Sequence, residues 1–212
     1  MTAPSREVAI DPAHAALLII DVQNYCAHPQ GAWWREHKPM PHFFTSLQHT
    51  VLPNIRRLQG ACRRGGIEIL YSVIENMTKD GRDRSLDYQI SGIDVPPGSW
   101  EARVLDEITP AEDEMIFRKT SSNVFVSTNI DYVLRNLGVR SLIITGIMTE
   151  QCVESAVRDA CDVGYLVTLV TDACTTGSVE RHQQSLLGIR GYCRQRSTDA
   201  LLAEILLVRD PR

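Results

Sequence analysis

Short apolar runs alternate with helix-like segments along most of this chain. The runs cover residues 15–20, 67–73, 115–118, 141–145 and 166–170. Between or after them, apolar residues three and four positions apart predict helices at 42–64, 101–108, 129–137, 152–160 and 179–188. Continuous apolar runs are typical of strands covered on both faces, and strand–helix alternation produces parallel sheets through crossover connections. The pattern therefore predicts an α/β fold with a mostly parallel sheet and helices on both faces, ending in a last strand or tail.

Composition narrows the class of protein. The 212 residues suit one domain, and 43% of them are hydrophobic, as expected for a globular protein with a sizeable core. A net charge of −4 gives no reason to expect a nucleic-acid or membrane partner. No apolar run approaches the roughly 20 residues of a membrane span, and the first residues lack a signal core. We therefore expect a single domain over 1–212, located in the cytoplasm.

The cysteines give no sign of a zinc site or a disulfide framework. They are scattered and include no CxxC pair, which favours free thiols in a reducing compartment. The six are at positions 26, 62, 152, 161, 174 and 193.

One cysteine has a position that suggests chemistry. The stretch SLIITGIMTEQCVESAVRDA, residues 141–160, predicts a buried strand, a tight turn and a helix with Cys152 in its first turn. Free N–H groups and the helix dipole at such a position favour a thiolate and could hold an oxyanion. The alternative is that Cys152 is a small buried apolar residue, as most cysteines are.

Two charged residues also follow apolar runs directly. Asp21 comes after 15–20 and Lys119 after 115–118, so a parallel sheet would bring both to the edge where Cys152 lies. Asp21 could then accept the thiol proton, while Lys119 could stabilise the thiolate and orient the substrate. Asp21 could instead be an ordinary loop residue that caps a turn.

Two loops could contribute to a binding pocket. Residues 26–53 are rich in proline and aromatic side chains and could form a lid or a subunit contact, although plain packing is an alternative. Arg82 and Arg84 follow the second strand and could bind a carbonyl-rich or acidic substrate, or pair with neighbouring aspartates at the surface.

Several blocks together resemble the isochorismatase-like cysteine hydrolases over roughly residues 15–195. The blocks are LLIIDVQN, FRKTSSNVFVST, ITGIMTEQCVESAVRDACDVGY and VTDAC. The resemblance implies a Rossmann-like, three-layer α/β/α fold with a six-stranded sheet and a catalytic triad of Asp21, Lys119 and Cys152. It also implies a cis peptide bond between Ile147 and Met148, with the N–H groups of Met148 and Cys152 forming an oxyanion hole.

Departures from family patterns narrow the expected activity. Nicotinamidases of this family carry a metal-binding Asp-x-His after the second strand, whereas residues 72–76 read SVIEN. The resemblance therefore implies an enzyme without metal or other cofactor. Cys152 favours C–N cleavage, because isochorismatases proper lack that cysteine. We expect a small carbamoyl or ureido substrate resembling biuret, triuret, ureidoacrylate or an N-carbamoyl amino acid.

The expected substrate contacts are Gln23, Trp33, Asn76, Arg82, Phe125 and Gln151, with Asn24, Arg84, Asp87 and Tyr88 as further polar candidates. Three alternatives stay open: vinyl-ether hydrolysis of an isochorismate-like compound, a catalytically silent binding protein, and a redox sensor. Because family members are often oligomeric, the resemblance implies a homodimer or homotetramer.

Overall fold

The fold is organised around a parallel sheet in a computed structural model that describes residues 5–38 and 40–208. The predicted domain of 1–212 extends beyond these, because residues 1–4, 39 and 209–212 lie outside the described ranges. The strands are β1 (Ala15–Ile20), β2 (Glu68–Ile74), β3 (Met115–Lys119), β4 (Ser141–Ile147), β5 (Leu166–Thr175) and β6 (Arg194–Arg196).

The strand order determines where a ligand can bind. Within the described residues the order is β3-β2-β1-β4-β5-β6, and each neighbouring pair is parallel. The predicted three-layer α/β/α architecture with a six-stranded sheet is confirmed, and all its pairings are parallel. The chain reverses its direction of winding between β1 and β4, and such a switch point opens a crevice beyond the carboxyl ends of the strands.

The helices cover both faces of the sheet. They are α1 (Asn24–Ala27), α2 (Trp33–Glu36), α3 (Pro41–Ser46), α4 (Leu52–Gly65), α5 (Leu86–Ile90), α6 (Val124–Ser127), α7 (Ile130–Asn136), α8 (Glu154–Asp162), α9 (Val179–Ile189) and α10 (Thr198–Val208). A π-helical turn, Leu47–Val51, joins α3 to α4, and another, Thr149–Val153, precedes α8. Gly66 ends α4 at φ 71°, a left-handed conformation that glycine adopts without steric penalty.

The alternating side chains of β1 form two cores. Leu17 and Ile19 pack with residues of α3, α4 and α10, while Leu18 and Ile20 pack with residues of α7 and α8. All four are buried. Successive strand residues point to opposite faces, so an unbroken apolar run is required where helices cover both sides.

The helix predicted at 101–108 is wrong apart from a short 3-10 turn, Asp106–Ile108. Tertiary hydrogen bonds take the backbone groups that a helix would need. The amides of Asn24 and Tyr25 donate to the carbonyls of Arg103 and Glu101, and the Leu105 amide donates to Val22. This segment is therefore tied to the loop after β1, beside the crevice.

The end of the described chain is more ordered than the predicted last strand or tail. It forms the short strand β6 followed by helix α10, which packs against α4. In the described ranges, no helix has both the length and the apolar character needed to cross a bilayer.

Candidate active site

Asp21 lies directly after β1 and is 2% exposed. Its φ of 56° is in the left-handed region, which aspartate adopts more readily than most residues but which usually marks a constrained position. Two contacts with Ser72 of β2 hold it: the Asp21 amide donates to the Ser72 carbonyl at 3.0 Å, and Ser72 Oγ donates to Asp21 Oδ1 at 2.9 Å. The second carboxylate oxygen is left to face Lys119.

Lys119 ends β3 and is fully buried. Its Nζ lies 2.9 Å from Asp21 Oδ2 and 3.5 Å from Cys152 Sγ. Tyr88 Oη, at 2.9 Å, and two backbone carbonyls of the loop after β3, at 3.0 and 3.1 Å, are further acceptors that share the three N–H groups of the ammonium. Burial alone would lower the pKa of Lys119, but the Asp21 carboxylate and the other partners raise it well above its ordinary value. The site therefore holds a charged ammonium.

Cys152 lies in the π-helical turn between β4 and α8 and is 7% exposed. Burial raises the pKa of its thiol to about 12; the Lys119 ammonium lowers that pKa and the Asp21 carboxylate raises it. The expectation that a helix start would favour the thiolate is therefore wrong for the resting site, because desolvation outweighs the favourable charges. A neutral thiol lies beside an ammonium–carboxylate pair.

The glycine near the end of β4 is required because two strands approach closely there. Gly146 has φ 120°, and a Cβ atom there would lie 2.1 Å from the carbonyl oxygen of Ile20. This approach brings the end of β1, which carries Asp21, against the end of β4, which leads to Cys152. The Ile147–Met148 peptide bond that follows is cis, and it is the bond singled out by the resemblance.

Asp21 and Cys152 line a cavity of about 610 Å³, counted with its open mouth. Its wall is largely apolar and includes Tyr25, Trp33, Met40, Ile74, Ile93 and Ile147. Its polar side includes Glu150, whose carboxylate accepts from Thr176 Oγ1 at 2.8 Å and pairs with Arg181 at 2.7 Å. The cavity is thus suited to a small compound with both apolar and hydrogen-bonding parts.

Three of the contacts predicted from the sequence line this cavity: Trp33, Tyr88 and Gln151. Met148, predicted for the oxyanion hole, lines it as well. Trp33 stacks on His37 with ring centres 3.7 Å apart. The segment 26–53 therefore supplies part of the cavity wall as well as core residues.

Gln23 and Asn76 do not line the cavity, which corrects the sequence expectation. Gln23 is fully buried and bridges two segments: its side chain donates to the carbonyls of Ile74 and Glu101 and accepts from the Ile74 amide. The side-chain amide of Asn76 donates a hydrogen bond to the carboxylate of Asp94. Both side chains are occupied in joining the loops that surround the site.

Arg82 and Phe125 also lie away from the cavity. Arg82 is exposed and pairs with Asp80 two residues away, which is the surface network weighed from the sequence. Phe125 is half-buried on the α8 side of the sheet, with its ring 6.1 Å from that of Tyr165. Of the further candidates, Asn24, Arg84 and Asp87 are likewise absent from the cavity lining.

The cavity residues that the sequence prediction missed are Tyr25, Cys26, Met40, Ile74, Ile93, Ser122, Glu150, Thr176, Gly177 and Arg181. For Glu150 and Thr176 a signal existed, because they follow β4 and β5 at the edge where ligands bind. The others lie on loops whose direction no local pattern reveals. Among the described residues, no group of three or more histidine, cysteine or acidic side chains is arranged to hold a metal ion.

Comparison with solved structures agrees with this architecture. A cysteine hydrolase from Pseudomonas syringae pv. phaseolicola 1448A superposes with a TM-score of 0.81 at 20% identity, over 98% of this chain and 99% of that one. An isochorismatase family protein from Desulfovibrio vulgaris gives 0.74 at 24% identity, over 92% and 98%. An N-carbamoylsarcosine amidase from Thermoplasma acidophilum gives 0.70 at 22% identity, over 88% and 97%.

At these identities the structural matches show the fold alone. The family is shown by a sequence model, since the Isochorismatase domain matches residues 15–200. That range contains all three polar residues that meet at the crevice, as well as every strand of the described sheet. The chain therefore belongs to the isochorismatase domain family.

Proposed function

We propose that this protein is a metal-independent cysteine hydrolase that cleaves a C–N amide bond of a small carbamoyl or ureido compound. Membership of the family supports hydrolase activity. The observation that carries the finer assignment is the meeting of Cys152 Sγ, Lys119 Nζ and the Asp21 carboxylate in one buried cluster. A nucleophile, a base and a fixed positive charge are the groups that attack on an amide carbonyl requires.

The state of the thiol determines how the reaction would begin. Because burial raises the pKa of the Cys152 thiol to about 12, the resting residue at pH 7 is the neutral thiol. The proton therefore passes to Asp21 as the sulfur attacks the carbonyl carbon, and no stable thiolate is needed beforehand. Lys119 keeps Asp21 oriented through the 2.9 Å ion pair and stabilises negative charge on the sulfur.

The remaining steps use the same groups. The N–H groups of Met148 and Cys152 stabilise the oxyanion of the tetrahedral intermediate. Asp21 gives its proton to the leaving nitrogen, which departs as ammonia or an amine and leaves a thioester on Cys152. Asp21 then takes a proton from water as the water attacks the thioester, and returns it to the sulfur as the C–S bond breaks, so that the acid product leaves and the thiol is restored.

The substrate class follows from size and from polarity. A cavity of about 610 Å³ around a buried sulfur suits a compact substrate, and the Glu150 carboxylate at its polar side can accept N–H groups. The similarity to an N-carbamoylsarcosine amidase supports a carbamoyl compound. Biuret, triuret and ureidoacrylate are the compounds to test first.

The proposal is tested by measuring ammonia release from a panel of ureido, carbamoyl and simple amides, with and without a chelator. We expect release that is insensitive to the chelator and is lost in Cys152→Ala. Cys161→Ala is the matched control. This variant should retain activity, because Cys161 lies away from the cavity. Hydrolysis of an isochorismate-like vinyl ether that survives Cys152→Ala would contradict the proposal, and so would folded protein that is inactive on the whole panel.

We also propose that the chain forms a homodimer or homotetramer, as the family resemblance implies. Sedimentation equilibrium should then give a mass that is two or four times 23.8 kDa. A mass of 23.8 kDa at micromolar concentration would refute this.

A further inference from the structure

Tyr88 brings a hydroxyl group into the catalytic cluster. It lies in α5, is 1% exposed and lines the same cavity as Cys152. Its ring packs in a small apolar cluster with Tyr25, Ile74 and Val95, which fixes its position. The ring is therefore anchored on one side, while its hydroxyl reaches Lys119.

The contact with Lys119 determines which way the tyrosine proton points. Lys119 Nζ is 2.9 Å from Tyr88 Oη but 5.5 Å from the ring centre, so the ammonium lies beyond the hydroxyl and not over the ring face. An ammonium has three donors and no acceptor. In this contact Tyr88 Oη can therefore act only as an acceptor, and its own O–H must donate elsewhere.

No acceptor for that O–H is found within the residues that the structure describes. Burial raises the pKa of Tyr88, so the hydroxyl keeps its proton across the ordinary pH range. A buried donor without a partner is unfavourable, particularly beside apolar side chains such as Ile74 and Ile93. The group most able to satisfy it is a ligand in the cavity.

We propose that the Tyr88 hydroxyl is a substrate-specificity group that donates a hydrogen bond to a second carbonyl oxygen of the substrate. This rests on the proposed function. There, the Met148 and Cys152 amides serve the oxygen of the scissile carbonyl, and Asp21 serves the leaving nitrogen. Neither accounts for a fixed donor at Tyr88. The inferred class is acylureas and biuret-like compounds, whereas ureas with a single carbonyl lack the required acceptor.

The test compares two ligands and two enzymes. Acetylurea and N-ethylurea differ by the replacement of one carbonyl with a methylene group. Their dissociation constants are measured by saturation-transfer NMR in a Cys152→Ser background, which prevents turnover, with and without Tyr88→Phe. We expect acetylurea to bind about 10- to 100-fold more tightly than N-ethylurea when Tyr88 is present, and that preference to fall at least tenfold in Tyr88→Phe.

Tyr71→Phe is the matched control. Tyr71 is also a buried tyrosine, but its hydroxyl bonds to Gln59 and Glu114 and it does not line the cavity. This variant should keep the full preference for acetylurea. Circular dichroism confirms that each variant is folded, and kcat/KM in the Cys152 background repeats the comparison for whichever ligands are hydrolysed.

The outcomes separate the two proposals. An unchanged preference in Tyr88→Phe, an equal loss of both ligands, or no binding of acetylurea would each overturn the role of Tyr88. A Tyr88-dependent preference in an enzyme that hydrolyses no amide would uphold that role and refute the hydrolytic function. Hydrolysis of ureido compounds without such a preference would support the hydrolytic function and overturn the role of Tyr88.

Discussion

Replacing Asp21 with asparagine should make Cys152 more reactive towards an alkylating agent while abolishing hydrolysis. In the native site burial raises the pKa of the Cys152 thiol to about 12, Lys119 lowers it, and the Asp21 carboxylate raises it. Asp21→Asn keeps the shape of the side chain and removes the negative charge. In this variant the Lys119 ammonium interacts with the thiolate alone, because the neighbouring carboxylate is gone.

The size of the effect follows from Coulomb's law. Sulfur and carboxylate both contact the same ammonium, at 3.5 and 2.9 Å. Two unit charges about 5 Å apart at an effective dielectric of about 20 interact by roughly 3 kcal/mol. That corresponds to a fall of about two units in the thiol pKa, or about a hundredfold more thiolate at pH 8.

The assay is the rate of iodoacetamide labelling at Cys152, followed by peptide mass spectrometry at pH 8. Cys161, which lies away from the cavity, is the internal reference in every sample. Lys119→Met should change the labelling rate in the opposite direction, because it removes the charge that lowers the thiol pKa. Labelling of Asp21→Asn at the native rate or more slowly would show that Asp21 is not the charge opposing the thiolate.

Three further changes test the fold and its support of the site. Ser72→Ala removes the 2.9 Å hydrogen bond to Asp21, so kcat should fall about tenfold with a smaller change in KM, as steady-state kinetics would show. The same change should lower the free energy of unfolding by about 1–3 kcal/mol, as measured by urea denaturation. Gly146→Ala should lower the free energy of unfolding by more than about 3 kcal/mol, because its Cβ would meet backbone, whereas Gly191→Ala, with open space around it, should change it by less than about 1 kcal/mol. Burial lowers the pKa of His182 below 6.5, so the unfolded chain binds its proton first; stability should fall as the pH drops from about 6.5, and less so in His182→Gln, as thermal melts at pH 7 and pH 5 would show.

Strands β1, β2, β4 and β5 were predictable because burial on both faces requires nearly continuous apolar runs, whereas β3, at the sheet edge, has one exposed face. Each predicted run corresponds to an observed strand within one or two residues, except that β5 continues to Thr175. The segment 101–108 was not predictable, since its apolar spacing suits a helix while its backbone bonds to the loop after β1. Hydrogen bonds between residues some 80 positions apart leave no periodicity in the sequence.

The expected substrate contacts show the same division. Gln23 and Asn76 were correctly placed near strand ends, but their side chains turn to neighbouring loops and not to the cavity. Arg82 was placed in a loop that does reach the edge of the sheet, yet its guanidinium pairs with Asp80 at the surface. A strand end specifies where a loop begins and leaves open which of its side chains point inward.

The sequence by itself determined the layer architecture and which three residues would lie at or after the ends of β1, β3 and β4 at one edge. Those properties depend on the order of apolar and polar residues along the chain, and parallel crossovers bring strand ends together without further information. Only the tertiary structure decided the protonation of Cys152, the identity of the cavity wall and the direction of the Tyr88 hydroxyl. Each of these depends on the desolvation and the distances created by segments far apart in the chain, and no local pattern of residues encodes them.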